Sequence, residues 1–435
     1  MKNPGSKLKV HVISMGCAKN LVDSEKLMAQ LKLGNVELAT SAEDADIAVI
    51  NTCGFIEAAK RESIDMMLSQ VGRKAKGKLK KVYAMGCLTE RYRDELAQEI
   101  PEIDGFFGSN QLGDVLRELG TDLKYELLGE RVLTSPCHFA YLKISEGCDN
   151  PCSFCAIPLM RGKHLSRDID EIVAEAAGLS ARGVRELVLI GQDTTYYGLD
   201  VYGQRRLPEL MTRIAEVGGI DWIRLMYAYP AKFPLALLDV MSSNSRVCRY
   251  LDMPVQHCSD EVLKSMRRGI SQRSLYNLIE TIRAKIPDIA LRTTLIVGYP
   301  NETPKAFDDL LRFVAEVKFD RLGVFTYSQE DGTTAFPLGD PISQEEKERR
   351  RKLVMELQSG ISEEKNSRFI GTSQKVLIDR LEGDRYVGRT ERDAPEIDNE
   401  VYVNSRTHLR VGDFVHVDIE DSSEYDLYGT VPETC

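Results

Sequence analysis

Between residues 7 and 371 the chain keeps repeating one pattern: a short apolar run closed by small or polar residues, then a stretch with helical spacing. Such alternation predicts strands laid side by side in parallel sheets, with helices covering the faces. At 435 residues the chain is too long for one core, so two to four domains are expected. The first runs are Lys9–Met15, Ile47–Asn51 and Lys81–Met85, with helical stretches near Val22–Leu31, Ile56–Gln70 and Glu90–Gln98. They predict an N-terminal, doubly wound parallel α/β domain over residues 7–130. Six more runs follow: Phe139–Ile144, Glu186–Ile190, Trp222–Met226, Tyr250–Pro254, Leu291–Val297 and Arg321–Tyr327. Helical stretches lie between them at Asp168–Ala181, Leu207–Val217, Pro234–Ser242, Ser274–Lys285 and Pro304–Val317. Six βα units suit an open, partial (βα)6 barrel over residues 134–371 better than a closed eight-fold one. The charged helix Gln344–Lys365 ends this segment, with Ser343 and Glu346 spaced as a capping box.

Residues 372–435 change character. Short alternating runs (Lys375–Ile378, Arg385–Arg389, Glu400–Val403, Phe414–Ile419, Asp426–Val431) are separated by turns such as Glu382-Gly383-Asp384. They predict a small antiparallel β-barrel. This segment is also acidic, with seven Lys/Arg against fifteen Asp/Glu, which leaves only −2 of the net charge of −10 for everything before it. That balance argues against generic nucleic-acid binding. No apolar run approaches the roughly 20 residues of a membrane helix, and Met1–Gly5 has no apolar core of a secretory signal. A cytoplasmic protein with no membrane contact is therefore expected, and in a reducing compartment ten cysteines point to metal or redox chemistry rather than disulfides.

Cys148, Cys152 and Cys155 fall within Glu146-Gly147-Cys148-Asp149-Asn150-Pro151-Cys152-Ser153-Phe154-Cys155, just past the first strand of the second segment. Three thiolates on a loop rich in turn residues can wrap one iron–sulfur cluster. Cubane clusters usually take four cysteines, so three with no evident fourth leave one iron open for chemistry. The competing readings are a structural zinc knuckle, for which Cys137 and His138 lie near enough, and unpaired buried thiols. A second trio is spread out: Cys17, Cys53 and Cys87 each follow an apolar run, 36 and 34 residues apart. In a parallel sheet all three would leave the same edge, where ligands bind, with neighbouring strands only about 4.8 Å apart. A second [4Fe–4S] cluster is the better reading, against chance placement of three thiols. Cys248 and Cys258 read as buried small hydrophobes, His257 as a packing or strand-end residue, and Cys435 as a terminal thiol.

Cys-x3-Cys-x2-Cys after the first strand of a partial (βα)6 barrel resembles the radical S-adenosylmethionine superfamily. The resemblance implies that the open iron holds the methionine moiety and that one electron from the cluster yields a 5′-deoxyadenosyl radical. It also implies that Phe154, Gln192, Arg292, Thr294 and Glu302 line the cofactor pocket. Read alone, these segments are also ordinary strand-end turn chemistry. It assigns no catalytic residue beyond the cluster ligands.

Both trios together with the small barrel resemble one family over essentially the whole chain, the methylthiotransferases, whose C-terminal barrel is called TRAM. The implied chemistry uses one S-adenosylmethionine to methylate a sulfur carried on the N-terminal cluster. A second makes the radical that abstracts a substrate hydrogen, and the substrate radical collects the methylthio group. The run Arg389-Thr390-Glu391-Arg392-Asp393-Ala394-Pro395-Glu396-Ile397-Asp398 resembles the branch that modifies an aspartate of a small-subunit ribosomal protein. Glu391, Asp393, Glu396, Asp398 and Glu400, taken as one acidic surface, are expected to repel tRNA and attract a basic ribosomal protein. A merely solvated face is the plainer reading of that run. An electron donor is also implied. A tRNA adenosine methylthiotransferase and a non-enzymatic Fe–S or RNA-binding scaffold are the alternatives.

Overall fold

The computed structural model describes residues 8–34, 36–124, 129–134 and 136–432, and Cys435 lies outside them. The N-terminal segment runs β1 (Lys9–Ser14), α1 (Ala18–Leu33), β2 (Glu37–Leu38), β3 (Ile47–Thr52), α2 (Glu57–Ala75), β4 (Lys81–Gly86), α3 (Cys87–Glu99), β5 (Gly105–Phe107) and α4 (Leu112–Glu118). Its sheet is parallel throughout, in the order β2-β1-β3-β4-β5. All six residues of β3 are buried, which is why its sequence is a continuous apolar run instead of an alternating one. Leu27, Leu31 and Val115 bring α1 and α4 onto one face. Met67, Leu88 and Leu96 bring α2 and α3 onto the other, so the sheet is doubly wound as expected.

The central segment contains β6 (Phe139–Lys143), β7 (Ser145–Glu146), α5 (Ile157–Arg161), β8 (Leu165–Ser166), α6 (Ile169–Ala181), β9 (Glu186–Ile190), α7 (Leu199–Tyr202), α8 (Leu207–Ala215) and β10 (Trp222–Leu225). It continues through α9 (Ala236–Ser243), β11 (Val247–Asp252), α10 (Asp260–Ser265), α11 (Gln272–Lys285), β12 (Ala290–Val297), α12 (Pro304–Val317), β13 (Arg321–Thr326) and α13 (Gln344–Asn366). Six strands form an open parallel sheet, β13-β12-β11-β10-β9-β6, the expected partial barrel. Side-chain caps start its helices: Asp168 accepts from Asp170 and Glu171, Thr303 from Ala306, and Ser343 from Glu346. The short ribbon β7–β8 is antiparallel and pinches the base of the loop carrying Cys148, Cys152 and Cys155. No helix among the described residues is long and apolar enough to cross a membrane.

Strands β14 (Ser373–Glu382), β15 (Arg385–Arg389), β16 (Val401–Asn404), β17 (Phe414–Ser422) and β18 (Leu427–Thr430) close a small barrel. Its pairings are antiparallel except β16 with β18, which is parallel.

The small barrel is fastened into the floor of the central one. Phe139, Val188, Trp222, Tyr250 and Ala290 share a core with Leu377 and Ala394. Around that core, the buried Arg224 reaches Glu186 at 2.7 Å and the Glu391 carbonyl at 2.7 Å. Arg321 donates to Asp393 at 2.8 Å, Arg292 to Asp398 at 3.2 Å, and Tyr141 to Glu396 at 2.7 Å. This corrects the reading of Glu391–Glu400 as an acidic surface. Asp393 and Asp398 face inward, Glu396 is held by Tyr141, and Glu400 pairs with Arg380. Buried arginines on the barrel strands demand buried carboxylates, so the run is acidic because of what it docks against. With the floor plugged, the C-terminal strand ends are left for the site.

Candidate active site at two cysteine trios

Strands β1, β3 and β4 are neighbours, so Cys17, Cys53 and Cys87 leave adjacent C-terminal ends of one sheet. Cys17 caps α1 and is exposed, Cys53 is buried behind β3, and Cys87 is the buried first residue of α3. Gly16 has φ +83°, and a Cβ there would come within 2.7 Å of Cys53 Sγ, so the second thiol rests on bare backbone before the first. Asn20 ties the loops together, donating to the carbonyls of Met15 and Thr52 at 3.0 Å each. Burial pushes the Cys87 thiol up to about 11, and the neighbouring Cys17 and Cys53 add to it. Burial likewise raises Cys53. Clustered thiols of this kind lose their protons when a cation arrives to hold them.

The second trio sits on the loop pinched by β7 and β8. Gly147, at φ +68°, is the only residue type its position admits, because a Cβ would lie 2.0 Å from the Lys163 carbonyl. The Cys148 amide donates to Gly162 at 3.1 Å and the Cys155 amide to Cys152 at 3.2 Å. Burial lifts Cys148 to about 11 and Cys155 to about 12. Arg268 Nη1 lies 3.3 Å from Cys152 Sγ, and the Tyr229 hydroxyl lies 3.7 Å from it. His138, which the zinc reading needs, gives its Nε2 to Asp379 at 2.7 Å, and Cys137 is exposed. Among the described residues no three His, Cys, Asp or Glu side chains converge on the position of a single ion.

One guanidinium links the N-terminal trio to Glu146 at the base of the second loop. Arg161, the last residue of α5, has Nε 3.1 Å from Cys87 Sγ and Nη1 2.6 Å from Asp23 and 3.2 Å from Glu146. Its Nη2 also meets Asn20. Glu146 receives Lys143 at 2.7 Å and Gln192 at 2.9 Å. Burial alone would raise the Glu146 carboxyl, but Lys143 and Arg161 outweigh it and hold it at about 2. Further along the same interface, Glu330 accepts Lys60 and Arg91, each at 2.7 Å. The N-terminal domain is thereby seated across the C-terminal mouth of the central barrel.

The five residues expected at the cofactor pocket fall in different surroundings. Gln192 follows β9, and its Oε1 is buried without a partner. Thr294 lies midway along β12, within 3.4 Å of Arg292. Arg292 is held between Asp252 at 2.9 Å and Asp398 at 3.2 Å. Glu302 is fully buried, 3.0 Å from Arg350 and 3.4 Å from His257, and also accepts from the Gly298 amide. Phe154 packs against Val262, Met266 and Tyr299. Other buried polar atoms without partners, Ser145 Oγ, Gln256 Oε1 and Tyr327 Oη, sit just beyond the ends of β6, β11 and β13. Such atoms fit a polar ligand that brings its own donors and acceptors. Cys248 and Cys258 are buried, as expected of small hydrophobes.

Comparison with known proteins matches residues 9–108 to an uncharacterized protein family, UPF0004, residues 142–314 to the radical SAM superfamily, and residues 370–431 to the TRAM domain. A protein of Cytophaga hutchinsonii named ribosomal protein uS12 methylthiotransferase RimO is 52% identical, covering 99% of this chain and all of the relative. One of the same name from Flavobacterium johnsoniae is 51% identical, covering 97% of this chain and 98% of the relative. The chain belongs to the RimO family of radical S-adenosylmethionine methylthiotransferases. It is thus a transferase whose family uses S-adenosylmethionine and a [4Fe–4S] cluster, which together supply a carbon-centred radical when bound. The radical S-adenosylmethionine methyltransferase TsrM from Kitasatospora setae has a similar fold, with a TM-score of 0.57 at 12% identity, over 76% of this chain and 77% of that one. Three loop thiols and unpartnered polar atoms at the strand ends fit the RimO family's cofactor. Arg161, Arg268, Tyr229 and Asn20 carry no motif in the sequence and emerge only from the contacts.

Proposed function

We propose that the chain adds a methylthio group to the β-carbon of an aspartate in small-subunit ribosomal protein uS12. In this reading each cysteine trio holds a [4Fe–4S] cluster, and S-adenosylmethionine is used twice per turnover, as methyl donor and as radical source. The substrate assignment rests on identity of about half the residues, over nearly the whole length, to relatives bearing that name. The second cluster is supported by three equivalent thiols on neighbouring strand ends, with Arg161 bridging them to the radical loop. Gln192, Thr294 and Phe154 line the cofactor pocket, and Arg292 and Glu302 shape it through Asp252 and Arg350. The exposed Asp418, Glu420, Asp421 and Glu424, on and after β17, form no ion pair among the described residues and suit a basic ribosomal protein.

The experiment offers anaerobically reconstituted enzyme, with S-adenosylmethionine, sulfide and a reductant, both a uS12 loop peptide and tRNA. A methylthio mass gained on the peptide alone is the expected result. A gain on tRNA with none on the peptide overturns the reading.

A further inference from the structure

Beside the radical loop, and outside both trios, a cleft of about 960 Å³ opens on the surface. Phe233, Leu235, Leu263 and Ile270 give it an apolar wall. Pro151, Pro230 and Arg267 line it as well. Each of these is the chain neighbour of a group at the Cys152 sulfur: Cys152 itself, Tyr229 at 3.7 Å and Arg268 at 3.3 Å. The cleft is therefore lined by the chain neighbours of the groups around one radical-cluster thiol.

The rim carries Lys232, Lys264 and Arg267, all exposed and none in an ion pair among the described residues. The one acidic residue lining the cleft, Asp260, accepts the Gln272 amide at 2.6 Å. Three exposed cations without an ion pair among the described residues thus surround an apolar floor. Lys232 and Arg267 also stand on left-handed backbone, at φ 57° and 54°, a conformation that costs free energy for a non-glycine residue.

We propose that this cleft receives an acidic one-electron carrier protein that reduces the radical cluster. The carrier loses one electron and the cluster gains it, and no bond or proton moves. The cations steer the acidic partner, and the apolar wall seats it with only the Cys152 shell between the two redox centres. The proposal depends on the radical cluster and not on the ribosomal substrate.

The test compares two reductants, dithionite and a reduced bacterial flavodoxin, in driving 5′-deoxyadenosine formation by holoenzyme. The charge-reversed variant Lys232→Glu/Lys264→Glu is expected to slow by about tenfold with flavodoxin and not at all with dithionite. The wild-type rate with flavodoxin is expected to fall as salt rises. An unchanged rate with flavodoxin overturns the proposal. Equal slowing with both reductants also overturns it, since the cations would then serve the cluster and not a partner. If this variant fails to fold, Lys232→Gln and Lys264→Gln, at exposed positions, carry the same comparison.

Discussion

Arg161 Nε, from the central barrel, stands 3.1 Å from the sulfur of Cys87 on the N-terminal sheet. The same guanidinium is shared by Asp23 and Glu146, so a thiol of the N-terminal trio is met by a cation from the other domain. A positive donor at a ligand sulfur stabilises the more negative, reduced cluster. Arg161→Gln is expected to lower the reduction potential of the N-terminal cluster by on the order of 60 mV, a tenfold change in a one-electron equilibrium. The radical cluster should keep its potential, and redox titration followed by electron paramagnetic resonance separates the two.

The proposed function gives the trios separate tasks. Reconstituted enzyme should hold about eight irons, and Cys152→Ala about four, with no 5′-deoxyadenosine formed. Replacing Cys17, Cys53 and Cys87 with alanine should also leave about four irons, but with cofactor cleavage retained and no methylthio product. Iron analysis together with chromatography of the nucleoside checks both.

Docking of the small barrel depends on buried pairs. Asp393→Ala leaves Arg321 buried without its carboxylate and should destabilise the chain by about 3–5 kcal/mol. Glu348→Ala removes an exposed pair with Arg351 and an exposed hydrogen bond from Gln344, and should stay within about 1 kcal/mol. Thermal melts of the two variants make the comparison.

Acid should loosen the same interface. Burial alone would raise Asp320, but Lys365 and Arg392 hold its carboxyl below the usual value. Asp379 is lowered in the same way, by His138 and Arg389 against burial. A carboxyl lowered in the folded state contributes stability above its unfolded pKa, and that contribution is lost as pH falls toward the folded value. Asp398, raised by burial, runs the other way. The net expectation is a docked small barrel at about pH 5 and a lower melting temperature below about pH 4.

Much of this architecture is written locally. Glu186–Ile190 and Pro304–Val317 are readable to the residue, the first as a fully buried apolar run and the second because Thr303 and Pro304 mark its start. Helix α3 begins at Cys87, earlier than Glu90, because Gly86 at φ 107° makes the turn that periodicity does not register. Ribbon β7–β8 has two residues per strand, too few for a pattern. The parallel closure of β16 with β18 is a choice among strands that only the closed barrel makes. The Glu391–Glu400 run misleads for a deeper reason: charge is visible in sequence, but its partners Arg224, Arg292 and Arg321 lie far away in the chain. Cys17, Cys53 and Cys87 are legible because they follow strands that lie side by side in one parallel sheet, and Cys148, Cys152 and Cys155 because they share one short loop. The arginines that address them arrive from other domains or distant loops.

The most direct measurement uses a uS12 loop peptide deuterated at the β-carbon of its aspartate. With S-adenosylmethionine, sulfide and reductant, the expected result is deuterium in the released 5′-deoxyadenosine, together with a methylthio group on the peptide. Unlabelled 5′-deoxyadenosine alongside an unmodified peptide would contradict the account.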